Sequence, residues 1–462
     1  MIVGVPDETA TDETRVALTP PVAEKLVERD VEVCVASGAG EGSDCADDDY
    51  RDVGCDVIDD REAVFERADV ICQVRGLAAN EGEPIDPYRE GQTVVGTLGP
   101  FDLADESYDE LADRRVSAFA LELMPRISRA QSMDVLSSMA SIGGYKATLV
   151  AAEQLPKLFP LEMTAAGTVR PAEVFVIGAG VAGLKAIATA ERLGASVRGY
   201  DIRLEVKQEV ESLGADFVEL DLETEGSGDD EGYAVEMGEE FYEQQRKQMQ
   251  RVVPESDVLI TTAAIPGRPA PEIVTTEMIE GMDSGSVVVD LAAETGGNCE
   301  PTEAGETVEV DGASVHGPTD LPSQVSHTAS QQYANNCKNF LENLLDEAGE
   351  QNFDFEDEIV DSTLLVHDGT VRNPHLDDGA GSEEDESEEA ADESDFDECF
   401  FDPGYFSDKT WGGDHGKEQA DRIVEAIEST EGVELGGGSD PFERRHRCLG
   451  GVTDDDLAGA PD

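Results

Sequence analysis

Short runs of Val, Ile, Leu and Ala recur along about the first 370 residues, separated by stretches with helical spacing. Ile2–Val5, Val31–Ala36, Val70–Val74, Thr93–Leu98 and Val116–Leu121 read as short buried strands. Thr19–Arg29, opened by Pro20 and Pro21, reads as a helix. Apolar runs alternating with helical segments predict a parallel sheet covered on both faces. A longer helical pattern, Ser132–Leu155, suits a connector between two lobes and carries Gly143-Gly144 inside it. Each glycine there costs about 1 kcal/mol relative to alanine, so the pair predicts close packing or a bend.

Beyond this helix the alternation resumes. Glu173–Ile177 reads as a strand, Val181–Leu193 as a helix, Ser196–Tyr200 as a strand and Glu205–Leu213 as a helix ending at Gly214. Phe217–Leu220, Val258–Thr262, Val287–Leu291 and Val308–Val315 supply further strands, and Gln324–Leu345 a long helix returning towards the first lobe. Strand, helix and strand in succession predict a doubly wound α/β fold. The resulting partition is 1–130 completed by 326–373, then 131–325, then an acidic linker 374–398 and a tail 399–462. Within the linker, 13 of the 22 residues of Asp377–Glu398 are acidic and none is basic, which predicts a solvated, disordered extension.

Charge changes the expected surroundings. Lys plus Arg is 32 and Asp plus Glu is 104, so the net charge is 32 − 104 = −72. Such a surface repels itself in dilute salt, whereas at about 1 M salt the Debye length falls to about 3 Å. A salt-filled cytoplasm is therefore the expected setting, and nucleic acid and anionic lipid are excluded as direct partners. The N-terminus lacks the basic and apolar regions of a leader, and no apolar run reaches the ~18 residues of a spanning helix. The eight cysteines show neither CxxC pairs nor zinc spacing and read as reduced thiols, with no metal site expected.

The strongest local motif is Gly178-Ala179-Gly180-Val181-Ala182-Gly183, set between the apolar run VFVI and a helical pattern. Asp201 lies 201 − 178 = 23 positions on, at the end of the next strand. This context marks a dinucleotide site: Gly178 for the tight turn, Gly180 for backbone approach to the pyrophosphate and Gly183 for helix–strand packing. The helix N-terminus offers N–H groups to the phosphates. Asp201 would accept from the adenosine ribose and disfavour a 2′-phosphate, although Arg203, two residues on, could neutralise one. A second cluster, PRISRAQSMDVLSS, brings Arg126, Gln131, Asp134 and Ser137 to the start of the connector helix. From spacing alone it is equally a helix cap, with Ser132 as the cap and Asp134 in the first turn.

Read together, PRISRAQSMDVLSSMA, VIGAGVAGLKAI, ITTAAIPGRPAP and VVDLAAETGGNCE resemble the NAD(H)-binding component of proton-translocating transhydrogenases. GVPDETATDETRVALTP and VASGAGEGS resemble the wider alanine dehydrogenase and transhydrogenase family, and the likeness runs from Met1 to about residue 373. It implies two Rossmann-like doubly wound parallel-sheet domains with a cleft between them. It also implies that Arg126, Gln131, Asp134 and Ser137 hold the nicotinamide, its ribose and the pyrophosphate. The glycine-rich turn, Asp201, Ile202, Arg203, Thr262 and Ala263 would complete the NAD(H) site, and Tyr233 would lie by a mobile loop closing over it. NADP(H) would be bound by a partner component, with membrane proton-channel subunits below, a homodimer here and a peripheral place on the cytoplasmic membrane.

Two other readings compete. A soluble alanine dehydrogenase must bind a 2-oxo acid and move protons, yet its lysine position falls on Arg75 and the region of its histidine, TVVGTLGPFD, holds none. A non-catalytic NAD-binding regulatory module would give the acidic linker and the ERRHRCLGG patch a purpose. Direct C4-to-C4 hydride transfer requires neither acid nor base, only two nicotinamides held in contact, which accords with the scattered histidines.

Overall fold

A computed structural model describes residues 1–80, 82–222, 239–265, 267–346 and 351–372. Tyr233, the acidic linker and the tail lie outside these residues. The chain first forms β1 (Ile2–Val5), β2 (Glu32–Ala36), β3 (Asp56–Ile58), β4 (Val70–Arg75), β5 (Thr93–Thr97) and β6 (Ser117–Ala120). Helices α1 (Pro20–Val27), α2 (Asp47–Asp52), α3 (Arg61–Arg67) and α4 (Asp105–Asp113) fall between them. The connector α5 (Val135–Gln154) leads to a hairpin of β7 (Glu162–Thr164) and β8 (Gly167–Val169). The second series is β9 (Glu173–Ile177), β10 (Ser196–Tyr200), β11 (Asp216–Phe217), β12 (Val258–Thr261), β13 (Val287–Asp290), β14 (Thr307–Val310) and β15 (Ala313–His316). Its helices are α6 (Val181–Arg192), α7 (Lys207–Ser212), α8 (Glu239–Met249) and α9 (Thr276–Glu280). Finally α10 (Ser326–Asn343), α11 (Glu358–Thr363), β16 (Leu364–His367) and β17 (Thr370–Val371) close the described chain.

Two large sheets result. The first has the order β17-β16-β6-β5-β4-β1-β2-β3, parallel except that β16 and β17 add antiparallel at one edge. The second runs β11-β10-β9-β12-β13-β15-β14, parallel except for the edge strand β14. Both are therefore mixed rather than wholly parallel. Period-two alternation sorts the second sheet's core: Val174 and Val176 face α5 and α6, while Phe175 and Ile177 face the opposite helices. In the first lobe, Tyr333, Cys337 and Phe340 of α10 join the core with Leu364 and Val366.

Three predicted elements differ in form. Val308–Val315 is a hairpin, because Asp311 and Gly312 both take positive φ (45° and 89°), the geometry of a two-residue turn. The strand at Phe217 is only two residues long, at the sheet edge. The connector helix starts at Val135 rather than Ser132, since Asp134 is its N-cap and Gln131–Met133 form a separate 3-10 turn. The Gly143-Gly144 pair produces close packing: a Cβ on Gly144 would collide with the Ala182 carbonyl oxygen of α6.

Candidate functional site

A cleft of about 320 Å3 opens at the carboxyl ends of β9, β10 and β12, roofed by the loop before α5. The glycine-rich turn forms its floor. Gly178 has φ +94°, a conformation L side chains rarely adopt, and a Cβ there would meet Thr262 Oγ1 at 2.5 Å. At Gly183 a Cβ would collide with the Gly178 carbonyl oxygen, so α6 leaves the strand at a distance only glycine permits. At Gly180 a Cβ would meet nothing within 4 Å, which leaves room above the backbone for a ligand. Val181 and Ala182 begin α6 beside this space and line it, whereas Ala179 is buried. First-turn N–H groups and the helix dipole favour an anion there.

Asp201 is buried, and its two oxygens take four hydrogen bonds. Oδ2 accepts from Ala179 N (2.7 Å) and Arg203 Nη2 (2.9 Å); Oδ1 accepts from Arg203 N and Nε (2.9 Å each). A ribose hydroxyl would have to displace Arg203 to reach this carboxylate. By the same geometry, the Arg203 charge is neutralised by Asp201 rather than offered to a 2′-phosphate. Ile202 and Arg203 both line the cleft.

The loop before α5 contributes unequally. Arg126 and Ser137 line the cleft, while Gln131 is exposed on the 3-10 turn and Asp134 stands behind Ser137. Asp134 accepts from Ser137 N (2.8 Å) through Oδ1 and from Ser137 Oγ (2.5 Å) through Oδ2. Ser132, expected as the alternative cap, instead offers only its carbonyl, to α10.

Sequence reasoning passed over several residues. Asn298 is fully buried, accepts from Ala263 N (2.9 Å) and donates to the Ala263 and Pro271 carbonyls (2.8 and 2.9 Å), fixing the cleft wall that Thr262 and Ala263 form. Asp290 in turn holds Asn298 N (2.7 Å) and Thr302 Oγ1 (2.8 Å). From α8, Gln245 donates to the Tyr200 hydroxyl (2.9 Å), and burial pushes that hydroxyl up so that it stays protonated. Gln245 is fully buried on the cleft and its Oε1 has no partner among the described residues, an acceptor awaiting a donor. Phe241 and Met249, two turns apart with the polar Gln245 between them on the same face, were the available signal for α8, weakened by the charged neighbours.

No lysine or histidine lines the cleft among the described residues. Arg75 lies 3.2 Å from Glu294 and 3.5 Å from Glu13, and Arg15 grips Glu13 (2.8 Å through Nε) with Asp320 at 3.5 Å. Both guanidinium groups are thus neutralised by this chain's own carboxylates. Among the described residues no cluster of His, Cys, Asp or Glu could hold a metal, and the six cysteines there are free and buried.

Two doubly wound lobes meeting at a glycine-floored cleft define a dinucleotide-binding protein. Residues 4–143 match the Alanine dehydrogenase/PNT N-terminal domain and residues 147–374 the Alanine dehydrogenase/PNT C-terminal domain, so the chain belongs to the alanine dehydrogenase/PNT family. It is 42% identical over 371 residues to the NAD(P) transhydrogenase subunit alpha of Haemophilus influenzae, covering 80% of this chain and 71% of that one. The first of the polypeptides that make up the NAD(P) transhydrogenase alpha subunit of Rhodospirillum rubrum is also 42% identical, over 81% of this chain and 99% of its own length. The alanine dehydrogenase of Mycolicibacterium smegmatis is more distant, 28% identical over 80% of this chain and 94% of its own length. Among solved structures, the transhydrogenase from Sinorhizobium meliloti is 41% identical with a TM-score of 0.72, covering 80% of this chain and all of that one. An L-alanine dehydrogenase follows at 26% identity and a TM-score of 0.67, covering 82% and 98%.

Proposed function

We propose that this chain is the NAD(H)-binding alpha component of a proton-translocating NAD(P) transhydrogenase, exchanging hydride between NADH and NADP+ held by a partner component. The observation that carries this reading is the meeting of Arg126 and Ser137 with the Gly178–Gly183 turn in one cleft that holds no lysine or histidine among the described residues. The open space at Gly180 and the unpartnered Gln245 Oε1 both suit an adenine dinucleotide, which supplies an apolar base, an amine donor and a pyrophosphate.

When bound, the nicotinamide supplies the carbon that gives or receives hydride. The protein's contribution is position. Ser137 donates its hydroxyl proton to Asp134, so towards the cleft its oxygen can only accept, as the amide N–H of a carboxamide requires. Arg126 adds a positive charge at the same wall, and the α6 N-terminus receives the phosphates. Misplacing a reacting carbon by about 1 Å can cost roughly 100-fold in rate, which gives such orientation its catalytic weight.

The remaining assembly follows from this reading. NADP(H) and the proton channel belong to partner subunits, and no helix among the described residues is long and apolar enough to cross a membrane. The chain would sit peripherally on the cytoplasmic side. A homodimer is supported by the β7–β8 hairpin, which exposes Leu161, Met163 and Val169 on a two-stranded unit too small to be stable alone. The net charge of −72 supports a halophilic host with an acidic proteome.

Asp134→Asn tests the site. Asparagine can still cap Ser137 N, but its amide would donate to Ser137 Oγ and turn that hydroxyl into a donor. Folding stays near normal while hydride transfer with the NADP(H) component falls by roughly 10- to 100-fold. Full transfer activity in this variant would remove the loop from the mechanism.

A further inference from the structure

The loop 125–134 is held mainly by contacts far away in sequence. Within it only Ala130 and Met133 are buried. Its internal backbone bonds are local: Ala130 N to Ile127 O, Met133 N to Ala130 O and Asp134 N to Gln131 O. Such a segment does not fix its own place relative to the cleft. The constraint arrives from the last third of the described chain. Asn336 and Asn339, one turn apart on α10, both donate through Nδ2 to the Ser132 carbonyl at 2.9 Å. Asn343, one turn further along the same face, donates to Asp357 Oδ2 (3.1 Å). Asp357 receives Arg129 of the loop in a two-pronged pair, Nη1 to Oδ2 at 2.9 Å and Nη2 to Oδ1. The spacing 336, 339, 343 puts all three amides on one stripe of the helix.

This stripe has no evident structural need. Asn336 is buried and its Oδ1 has no partner among the described residues, a cost an apolar residue would avoid. The other faces of α10 supply the core through Tyr333, Cys337 and Phe340. Asp357 also accepts from Ile359 N at 3.0 Å, capping α11, so the second tether is anchored to a structured element. The Arg129 guanidinium, ahead of opposing burial, holds the Asp357 carboxyl down to about 2, so the pair stays ionised throughout the neutral range.

We propose that Asn336, Asn339 and the Arg129–Asp357 pair are positioning residues that hold the loop carrying Arg126 and Asp134, and with it Ser137 in the first turn of α5, in transfer geometry from outside the cleft. The proposal rests on the assignment of that loop to the nicotinamide. One tether grips the loop at Ser132, two residues before the Asp134 cap, and the other at Arg129, three residues after Arg126. Between them they set both functional ends.

The test uses the full chain with its NADP(H) component, and methyl-labelled methionine as a probe of Met133 inside the loop. Asn336→Ala/Asn339→Ala and, separately, Arg129→Ala are compared with Asn335→Ala, whose side chain bonds only within α10. The Met133 resonance should shift or broaden in both tether variants while that of Met278, in the far core, stays put. Hydride-transfer kcat should fall roughly 10-fold or more with the KM for NADH changed far less, because the lost quantity is alignment. Arg129 is exposed, so its variant reports even if the double asparagine variant folds poorly. An unmoved Met133 signal in both variants overturns the proposal, as does a moved signal with unchanged kcat where Asp134→Asn impairs transfer. If Asp134→Asn also retains full transfer, the loop's assignment itself has failed, and the tethers then have no catalytic role.

Discussion

Glu122 shows how a single side chain can make stability depend on pH. Its Oε1 accepts from both Leu98 N (2.8 Å) and Gly99 N (2.6 Å), while the buried Oε2 has no partner among the described residues. Burial pushes the carboxyl up to about 7, against the backbone hydrogen bonds that favour the charged form. The folded state thus holds a proton that the unfolded chain releases near pH 4.5. The stabilisation is complete below that range and is lost as pH rises through about 7. Glu122→Gln mimics the protonated form, so melting curves from pH 5 to 8 should show the variant gaining on the wild type as pH rises; parallel curves would contradict the shift. At this scale the sequence conveyed conformational demands better than partnerships. Gly178 and Gly183 were legible because each answers a local steric question. The fourfold saturation of Asp201 was not, because the proximity of Arg203 left open whether it faced the ligand or the aspartate.

Among elements, the contact between α5 and α6 carries the most consequence for the site. Thr148 Oγ1 donates within α5 to Gly144 O (3.0 Å) and lies 3.3 Å from the Ala186 carbonyl across the contact. Gly144 allows this approach, and the backbone it meets, Ala182, belongs to the first turn of α6 beside the glycine-rich floor of the cleft. Gly144→Ala must push that turn away. It should destabilise by about 1–3 kcal/mol, the usual cost of overpacking, and weaken NADH binding in calorimetry as well. Gly143→Ala is the internal control: its Cβ would meet only Leu291 Cδ2 at 3.7 Å, and alanine's helix propensity favours it by up to about 1 kcal/mol. Equal behaviour of the two would refute the packing account. The glycine pair was visible in the sequence as packing or bend, but which residue touched the other helix required the structure. Glu173–Ile177 and Ser196–Tyr200 matched to the residue, the first an apolar run ended by the turn at Gly178 and the second opened after the turn at Gly194. The β14–β15 hairpin was misread because the apolar run resumes beyond Asp311-Gly312, and the turn signal in that pair was outweighed.

For the whole molecule, alternation announced α/β lobes but not the order of strands, because pairing is long-range: β16 reaches back to β6, with most of the chain between them. Charge was legible at once, and it bears on stability rather than on fold. The net charge of −72 is spread over a chain whose inward-facing pairs, Arg15 with Glu13 and Arg203 with Asp201, are largely shielded from bulk ions. Salt therefore acts on the exposed carboxylates. Their repulsion extends over about 10 Å at 0.1 M salt and about 3 Å at 1 M. The melting temperature should climb steeply over that interval of KCl and then level off, because further screening removes little once the Debye length is below the spacing of surface charges. Salting-out of apolar surface has a different signature, a rise that continues well beyond about 1 M, since exclusion of solute strengthens burial without saturating in this way. Thermal scans in KCl across this range, repeated in an uncharged osmolyte such as sucrose, separate the two. A plateau in KCl with little gain from sucrose would make charge screening the source of stability, and a continuing rise matched by sucrose would assign it to burial.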